Sequence, residues 1–315
     1  MSGAGSSGAS SPGPGAAARA VAVTGATGFI GRHLCDRFRS AGWDVRALVR
    51  DVTAYPFREP GIRTYLCNLP DRLDEEALRS AQVVIHAAYV TRHRSLGEAA
   101  RVNDAGTSRV LEAARRAGVS RFVFISSQSA HDGALSYYGR SKRALEARLS
   151  PDRDLAIRPG LVVGPGQAGL FQRMVETVGR SAIIPLFGGG RQPLQTVHVE
   201  DLARAIEAAV EKGLTGVFTI AEPEPTSMRR FLALLAGRLG RRPLFVPVPL
   251  APALAILRLA EAMRLSLPVS SENLLGLRQL RADDTRADLA AIGVPVRSLV
   301  ASLTALFPGA REDTR

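Results

Sequence analysis

Lysine is nearly missing from this 315-residue chain: of its 41 basic side chains only Lys142 and Lys212 are lysines. Cysteine is equally scarce, and Cys35 and Cys67 stand too far from any partner to suggest a disulfide scaffold or a metal site. No segment reaches the about 18 uninterrupted apolar residues of a membrane span. The nearest, Val246 to Ala262, is interrupted by Pro247, Pro249, Pro252, Arg258 and Glu261. A charged, apolar leader is missing too. Apart from the initiator, Met1 to Ala18 holds only glycine, alanine, serine and proline, which reads as a flexible tail and not as a signal peptide. The formal charge of +12 comes without a dense basic arm, a zinc spacing or interleaved aromatic and basic residues. It reads as an arginine bias that suits anionic small molecules, with no nucleic-acid or membrane partner and the cytoplasm as the expected location.

What remains is an ordinary globular composition, 46% hydrophobic and 22% charged. Apolar, β-branched strands are expected at Ala20 to Thr24, Val45 to Val49, Ile62 to Leu66, Gln82 to Ala87, Arg121 to Ser126 and Asp154 to Arg158. Helical patterns fall between several of them, near Phe29 to Ala41 and Leu96 to Ala117, the second stopped by Gly118. Strands with few charges alternating with helices imply a parallel sheet covered on both faces. After Pro159 the rhythm loosens. Helices are expected near Leu170 to Gly179, Asp201 to Lys212, Ser227 to Leu239, Pro252 to Leu265 and Asp283 to Ile292, with a short strand at Leu194 to Val199 and a loop at Pro185 to Pro193. The expected fold is therefore α/β, a Rossmann-like doubly wound parallel sheet with a smaller, mainly helical C-terminal lobe. Residues 19–160 would form the dinucleotide-binding domain. Residues 161–308 would form a substrate lobe interleaved with returns to the main sheet, and 309–315 a short tail.

Thr24-Gly25-Ala26-Thr27-Gly28-Phe29-Ile30-Gly31 follows the first strand directly and opens a helix. Gly25 permits a tight turn, Gly28 lets backbone approach a pyrophosphate, and Gly31 allows close helix–strand packing, with first-turn amides facing the anion. Strand, turn and helix in this order point to a dinucleotide. The second strand ends Ala47-Leu48-Val49-Arg50-Asp51. Arg50 stands where an NAD site usually offers a carboxylate, and with Arg32 it can meet a 2′-phosphate, so NADP is the preferred cofactor and NAD the alternative.

Lys142 falls four residues after Tyr138, in Tyr138-Gly139-Arg140-Ser141-Lys142. On a helix both side chains share one face, and a nearby ammonium favours the phenolate of a group whose free pKa is about 10. Taken with the glycine turn, His86-Ala87-Ala88, Val102-Asn103, Gly106-Thr107, Ser126-Ser127, Arg158-Pro159-Gly160, Gly164-Pro165-Gly166 and Val197-His198-Val199-Glu200-Asp201-Leu202, the chain resembles the extended and atypical short-chain dehydrogenases/reductases, in particular their NAD-dependent epimerase/dehydratase branch. The motifs run in that family's order from residue 20 to about 210, with weaker similarity to about residue 307.

The resemblance implies roles. Tyr138 would be the acid/base, Lys142 would bind the nicotinamide ribose and lower the Tyr138 pKa, and Ser127, with Ser126 as its nearest rival, would donate to the reacting oxygen. Gly25, Thr27, Gly28, Phe29, Ile30, Gly31, Arg32 and Arg50 would line the dinucleotide site together with Tyr138 and Lys142. Ala87 and Ala88 would line the cleft, Asn103 would steady the neighbouring loop, and Pro159 would abut the nicotinamide. Asn68-Leu69 stands where the family usually has an Asp-Leu or Asp-Ile pair near the adenine. A homodimer is compatible with the resemblance. Two departures narrow the chemistry. Ser127 and Tyr138 are only 11 residues apart, which removes loop material that often contacts a sugar nucleotide. Gln128-Ser129 replaces the Asp-Glu pair of a sugar dehydratase, which excludes that elimination.

The second half offers weaker signals. Arg191 reads equally as a phosphate or carboxylate contact and as a solvated loop residue. His198 reads as structural, and Glu200 and Asp201 as helix-start carboxylates. Phe171, Met174 and Phe187 would line an apolar substrate pocket or fill a seam between lobes. Arg92, His93 and Arg94 would favour an anionic substrate, and no metal is called for. The sequence favours an NADP-dependent oxidoreductase that reduces a ketone, aldehyde or sugar-like carbonyl. A sugar or nucleotide-sugar epimerase is the alternative, and a catalytically inactive dinucleotide-binding regulator or assembly protein the second.

Overall fold

The structure, a computed structural model, describes residues 19–53, 60–91, 95–166, 169–265 and 269–308. The two expected tails and the Arg92, His93, Arg94 trio lie outside the described residues.

The first half builds strand β1 (Ala20–Thr24), helix α1 (Phe29–Ser40), β2 (Asp44–Val49), β3 (Ile62–Asn68), a two-residue β4 (Arg72–Leu73) and β5 (Val83–His86). Then come α2 (Leu96–Ala100), α3 (Gly106–Arg116), β6 (Arg121–Ile125), α4 (Tyr137–Glu146) and β7 (Leu155–Pro159). The second half adds β8 (Leu161–Val163), α5 (Leu170–Arg180), β9 (Ile183–Phe187), β10 (Pro193–Leu194), β11 (Thr196–His198), α6 (Val199–Glu211), β12 (Gly216–Ile220) and β13 (Thr226–Ser227). It ends with α7 (Met228–Arg238), β14 (Leu244–Val248), α8 (Leu250–Ala262), α9 (Ser271–Arg278), α10 (Arg286–Ile292) and α11 (Leu299–Leu306).

The large sheet runs β12-β7-β6-β5-β1-β2-β3-β4, with every pairing parallel except that of β3 with β4. Strand order reverses between β1 and β5, so a crevice opens at the carboxyl ends of these two strands. The pleat sends alternate side chains to opposite cores. Val21, Val23, Val123 and Ile125 pack with Leu34 and Phe38 of α1 and with Leu202 and Ile206 of α6. Ala22, Phe122 and Phe124 pack on the other face with Val110 and Leu111 of α3 and Leu145 of α4. The doubly wound sheet expected from the alternation is thus present, and β12 returns to it from the second half.

The helix expected across Leu96 to Ala117 forms, but a π-helical turn at Arg101–Ala105 divides it. Gly118 follows in the left-handed region, φ 71°, and ends it. Around Pro185 the structure differs from the expected loop. Ile183–Phe187 is a strand, paired in parallel with Leu244–Val248. Prolines 185 and 247 are tolerated because this ladder has only two strands, both of them edges. The strand expected at Leu194 to Val199 is split at Gln195, whose two flanks pair with different partners, β13 and β8.

Candidate active site

The glycine turn is held by backbone and not by side chains. Gly25 adopts φ 66°, and a Cβ there would lie 2.7 Å from the Ala88 amide nitrogen. At Gly31 a Cβ would come within 2.2 Å of the Gly25 carbonyl oxygen. The Gly28 amide donates to the Gly25 carbonyl at 2.8 Å, and α1 starts immediately afterwards. Its first-turn amides therefore face the crevice, and a tight turn that leaves no room for a Cβ at Gly25 or Gly31 fits a dinucleotide diphosphate.

Beside the turn, Thr24 and His86 join the carboxyl ends of β1 and β5. Thr24 Oγ1 lies 2.7 Å from His86 Nδ1 and accepts from the Ala88 amide at 3.3 Å. The opposite ring nitrogen, Nε2, lies 2.9 Å from Thr107 Oγ1. Burial, helped by the charge of Lys142, lowers the His86 pKa to about 3. The ring is neutral, so one of its nitrogens donates and the other accepts between the two threonine hydroxyls.

The structure brings most of the other expected cofactor residues to this end of the sheet. Phe29 lies against Gly164, Gly166 and Gly169, and a Cβ on Gly166 would sit 3.2 Å from its ring. Ile30 packs into the core. Thr27 and Arg32 are exposed, and the Arg32 guanidinium donates to the Thr27 carbonyl at 3.3 Å. Arg50 is exposed directly after β2, and Asn68 ends β3. Leu69 is occupied otherwise, packed where a Cβ on Gly106 would meet it at 2.9 Å. Asn103 is buried with its amide closed on Val90: its Oδ1 accepts from the Val90 amide at 2.8 Å and its Nδ2 donates to the Val90 carbonyl at 3.0 Å. It steadies the loop after Ala87 and Ala88, and that loop carries Tyr89.

Ser127, Tyr138 and Lys142 meet where β6 gives way to α4. The Ser136 hydroxyl caps α4 by accepting from the Gly139 amide at 3.2 Å, which fixes the helix start at Tyr137. Gly139 lets this turn approach the Ser129 carbonyl, which a Cβ would meet at 2.5 Å. Tyr138 is half-buried, and burial pushes its pKa up while a hydrogen bond with Ser127 pulls it back. Lys142, one turn further, is 3% exposed. Its ammonium donates to the Ile125 carbonyl at 2.6 Å and lies 4.1 Å from the centre of the Tyr89 ring and 4.5 Å from that of Phe124. Burial lowers its pKa to about 7 against the opposing pull of Glu146. Pro159 ends β7 and is buried, with its carbonyl accepting from the Gln128 amide at 3.4 Å.

Several supports of this cluster were not singled out in the sequence. Glu146 is buried and accepts from the Ser126 hydroxyl at 2.5 Å and from Arg158 at 2.9 and 2.5 Å. Ser126 thus points away to a carboxylate, while Ser127 is turned toward Tyr138. Glu146 is four residues beyond Lys142, a spacing that could have marked it. Asp104 accepts from Ser141 at 2.5 Å and from the Tyr137 hydroxyl at 3.2 Å, and Tyr89 donates to Ser141 at 3.1 Å. From the C-terminal lobe, Glu272 accepts from the Tyr137 amide at 2.5 Å and Gln279 donates to Ser136 at 3.0 Å.

Of the weaker candidates, Phe171 and Met174 belong to the core of the C-terminal lobe, with Phe171 edge-on to Phe231 at 6.5 Å. Phe187 packs in a separate cluster with α8. Arg191 is exposed. His198 is buried and caps α6 by accepting from the Glu200 amide at 3.3 Å. Asp201 does more than start a helix: against the cost of burial, Arg297 holds it below the usual carboxylate range through bonds of 2.7 and 2.9 Å.

A family model for the NAD dependent epimerase/dehydratase family matches residues 21–221, which takes in most of the sheet together with Ser127, Tyr138 and Lys142. The chain belongs to this family. It is 37% identical over 210 residues to a ceramide reductase of Caulobacter vibrioides, an alignment covering 64% of each chain. This chain therefore spans just under two thirds of that relative's length. It is 32% identical over 271 residues to a 3-diazoavenalumate denitrifying reductase of a Streptomyces species, covering 74% of this chain and 86% of that one. Among solved structures, MoeE5 in complex with UDP-glucose and NAD is similar with a TM-score of 0.67 and 26% identity, over 90% of this chain and 96% of that one.

Proposed function

We propose that the protein reduces a ketone or aldehyde carbonyl with NADPH, with Tyr138 as the proton donor. One observation carries this reading: the half-buried Tyr138 phenol, whose pKa is held up and which is therefore protonated at neutral pH, is hydrogen-bonded to Ser127 and stands one helical turn from the buried Lys142. A protonated phenol suits the acid needed when a carbonyl oxygen gains charge. Ser127 donates to the same oxygen and fixes the carbonyl in register. Lys142 holds the ribose hydroxyls, and its charge draws the phenol toward ionisation once the site is filled.

The glycine turn, Arg32 and Arg50 hold the diphosphate and 2′-phosphate, and Pro159 with Ala87 and Ala88 bounds the cleft. The bound dinucleotide supplies the hydride. The reductase names of the two curated relatives support net reduction, and the short Ser127 to Tyr138 link disfavours a sugar nucleotide. The family's name and the UDP-glucose in MoeE5 favour a second reading, epimerisation with the same Tyr138.

The test is incubation with NADPH or NADH and a panel of ketones, aldehydes and sugar nucleotides, following cofactor oxidation and product stereochemistry. Net consumption of NADPH in preference to NADH is expected, whereas an inverted stereocentre without net consumption would establish the epimerase. Tyr138→Phe should lower turnover by about 100-fold or more while dinucleotide affinity stays within about threefold. Unchanged turnover would remove Tyr138 from this role.

A further inference from the structure

The segment that comes closest to an apolar run in the sequence forms β14 and α8, and its apolar side chains are not all inside the protein. Helix α8 rests on the lobe through Ala253, Leu257 and Ala260, spaced four and three residues apart. The adjacent face, one residue earlier in each turn, carries Pro252, Ile256, Leu259 and, just past the helix end, Met263. Ile256, Leu259 and Met263 are 64%, 63% and 62% exposed. Leu265 follows, also exposed, and the ladder leading into α8 exposes Ile183, Leu244 and Val246. A row of large aliphatic side chains along one helix face is more than scattered surface hydrophobicity.

Two of the three charged residues near this row are arginines. Arg258 flanks it and Arg264 follows its end; both are exposed, and neither is paired with a carboxylate among the described residues. The only acid of α8, Glu261, is turned onto α9, where it accepts from the Ser271 amide at 2.7 Å and from the Ser271 hydroxyl at 2.6 Å. Both of its carboxylate oxygens are engaged by Ser271, although the residue is exposed. An aliphatic stripe with a cationic rim on a chain of formal charge +12 is complementary to an anionic, hydrocarbon-backed surface. A second copy of the face would set Arg258 and Arg264 against their own like. The stripe also offers no aromatic anchor and no hydrogen-bonding group besides Arg258, in contrast to the core of a protein interface.

We propose that α8 is an interfacial helix that seats the protein on an anionic lipid surface, with Ile256, Leu259 and Met263 in the acyl boundary and Arg258 and Arg264 at the phosphates. Long arginine side chains reach the headgroups while their stems stay with the apolar face. The length criterion that excludes a membrane span does not bear on a helix lying in the plane. The same helix also lines a pocket of about 250 Å³ with Leu250, Ala251 and Leu254, closed by Leu274, Leu275 and Arg278. On its far side α9 carries Glu272, which grips the start of the Tyr138 helix. Docking does not depend on the reductase reading and is measured without any substrate.

The experiment is flotation of the full chain with phosphatidylcholine vesicles and with vesicles also containing phosphatidylglycerol, at low and at high salt. Association with the anionic vesicles, weakened by salt, is expected. The double change Ile256→Glu and Leu259→Glu should lower the partition coefficient by at least about tenfold. The thermal midpoint of the variant should stay near that of the parent, because both positions face solvent. Absence of flotation with anionic vesicles would overturn the proposal. So would equal flotation of the variant, or a dimer in sedimentation that the same two changes dissociate while vesicle binding stays as it was.

Discussion

At the scale of single residues, the site rests on titratable groups removed from water, and His86 is the one whose consequence is easiest to read. Its folded pKa of about 3 lies below the value of about 6.5 for an unfolded histidine. Between these values the unfolded chain binds a proton that the folded chain refuses. The contribution of His86 is therefore fully present above pH 6.5 and is lost as pH falls toward 3, by up to about 1.4 kcal/mol per pH unit. His86→Gln removes the titration while keeping a polar side chain between Thr24 and Thr107. Urea unfolding at several pH values from 7 to 5 should show a shallower loss in this variant than in the parent. Equal slopes would mean that the ring is already protonated in the fold. The motif His86-Ala87-Ala88 was visible in the sequence, but not the neutral state of the ring. That state depends on Phe122 and Phe124, stacked near it from β6 at 5.9 and 6.1 Å, and on Thr107 from α3.

At the scale of elements, the glycines differ in what they do, and the difference is measurable. Gly31 has no room for a side chain, since its Cβ would meet backbone at 2.2 Å and backbone cannot step aside cheaply. Gly31→Ala should displace the turn, weaken dinucleotide binding by at least about tenfold in a fluorescence titration, and lower stability by about 1–3 kcal/mol. Gly179 in α5 has nothing within 4 Å of its Cβ position, so Gly179→Ala should instead stabilise the helix by about 0.5–1 kcal/mol. A Gly31→Ala protein with unaltered affinity would show that the turn is not the dinucleotide cradle. Elements of this kind were legible because their signals are local. The strand, turn and helix around Gly25 lie within about twenty residues, and the shared face of Tyr138 and Lys142 within one helical turn. Ile183–Phe187 and Leu244–Val248 were not legible as strands. Each contains a proline, and each exists only through pairing with the other some sixty residues away. Helix α9 was missed for a related reason: it is short, and its docking on α4 joins Glu272 to Tyr137 and Gln279 to Ser136.

At the scale of the whole molecule, the second half is fastened to the sheet through a few buried polar side chains, and Gln195 is the one on which most bonds converge. It breaks the β10–β11 run and is 1% exposed. Its Oε1 accepts from Gln128 at 2.8 Å and from the Asp283 amide at 2.9 Å, while its Nε2 donates to the carbonyls of Asp283 at 2.9 Å and Glu222 at 3.0 Å. One amide thus joins the loop after Ser127, the segment after β12 and the approach to α10. Glu222 extends the seam by accepting from the Thr196 hydroxyl at 2.7 Å and from the Leu299 amide at 2.8 Å. Gln195→Leu keeps the volume but leaves the part-buried Asp283 amide and carbonyl, and the buried Glu222 carbonyl, without their partner. An unmet buried polar group costs about 1–3 kcal/mol, so the variant should lose about 1–3 kcal/mol in urea unfolding. Because Gln128 adjoins Ser127, the loss should reach the site as well, lowering turnover in any reaction that Tyr138→Phe abolishes. Gln195→Glu separates the two effects. It retains the acceptor for Gln128 and the Asp283 amide but sets a carboxylate against the Asp283 and Glu222 carbonyls, so it should destabilise the lobe attachment while holding Gln128 in place. If Gln195→Leu unfolds at the parent's midpoint, the lobes are held by their apolar seam alone and the polar hub is incidental.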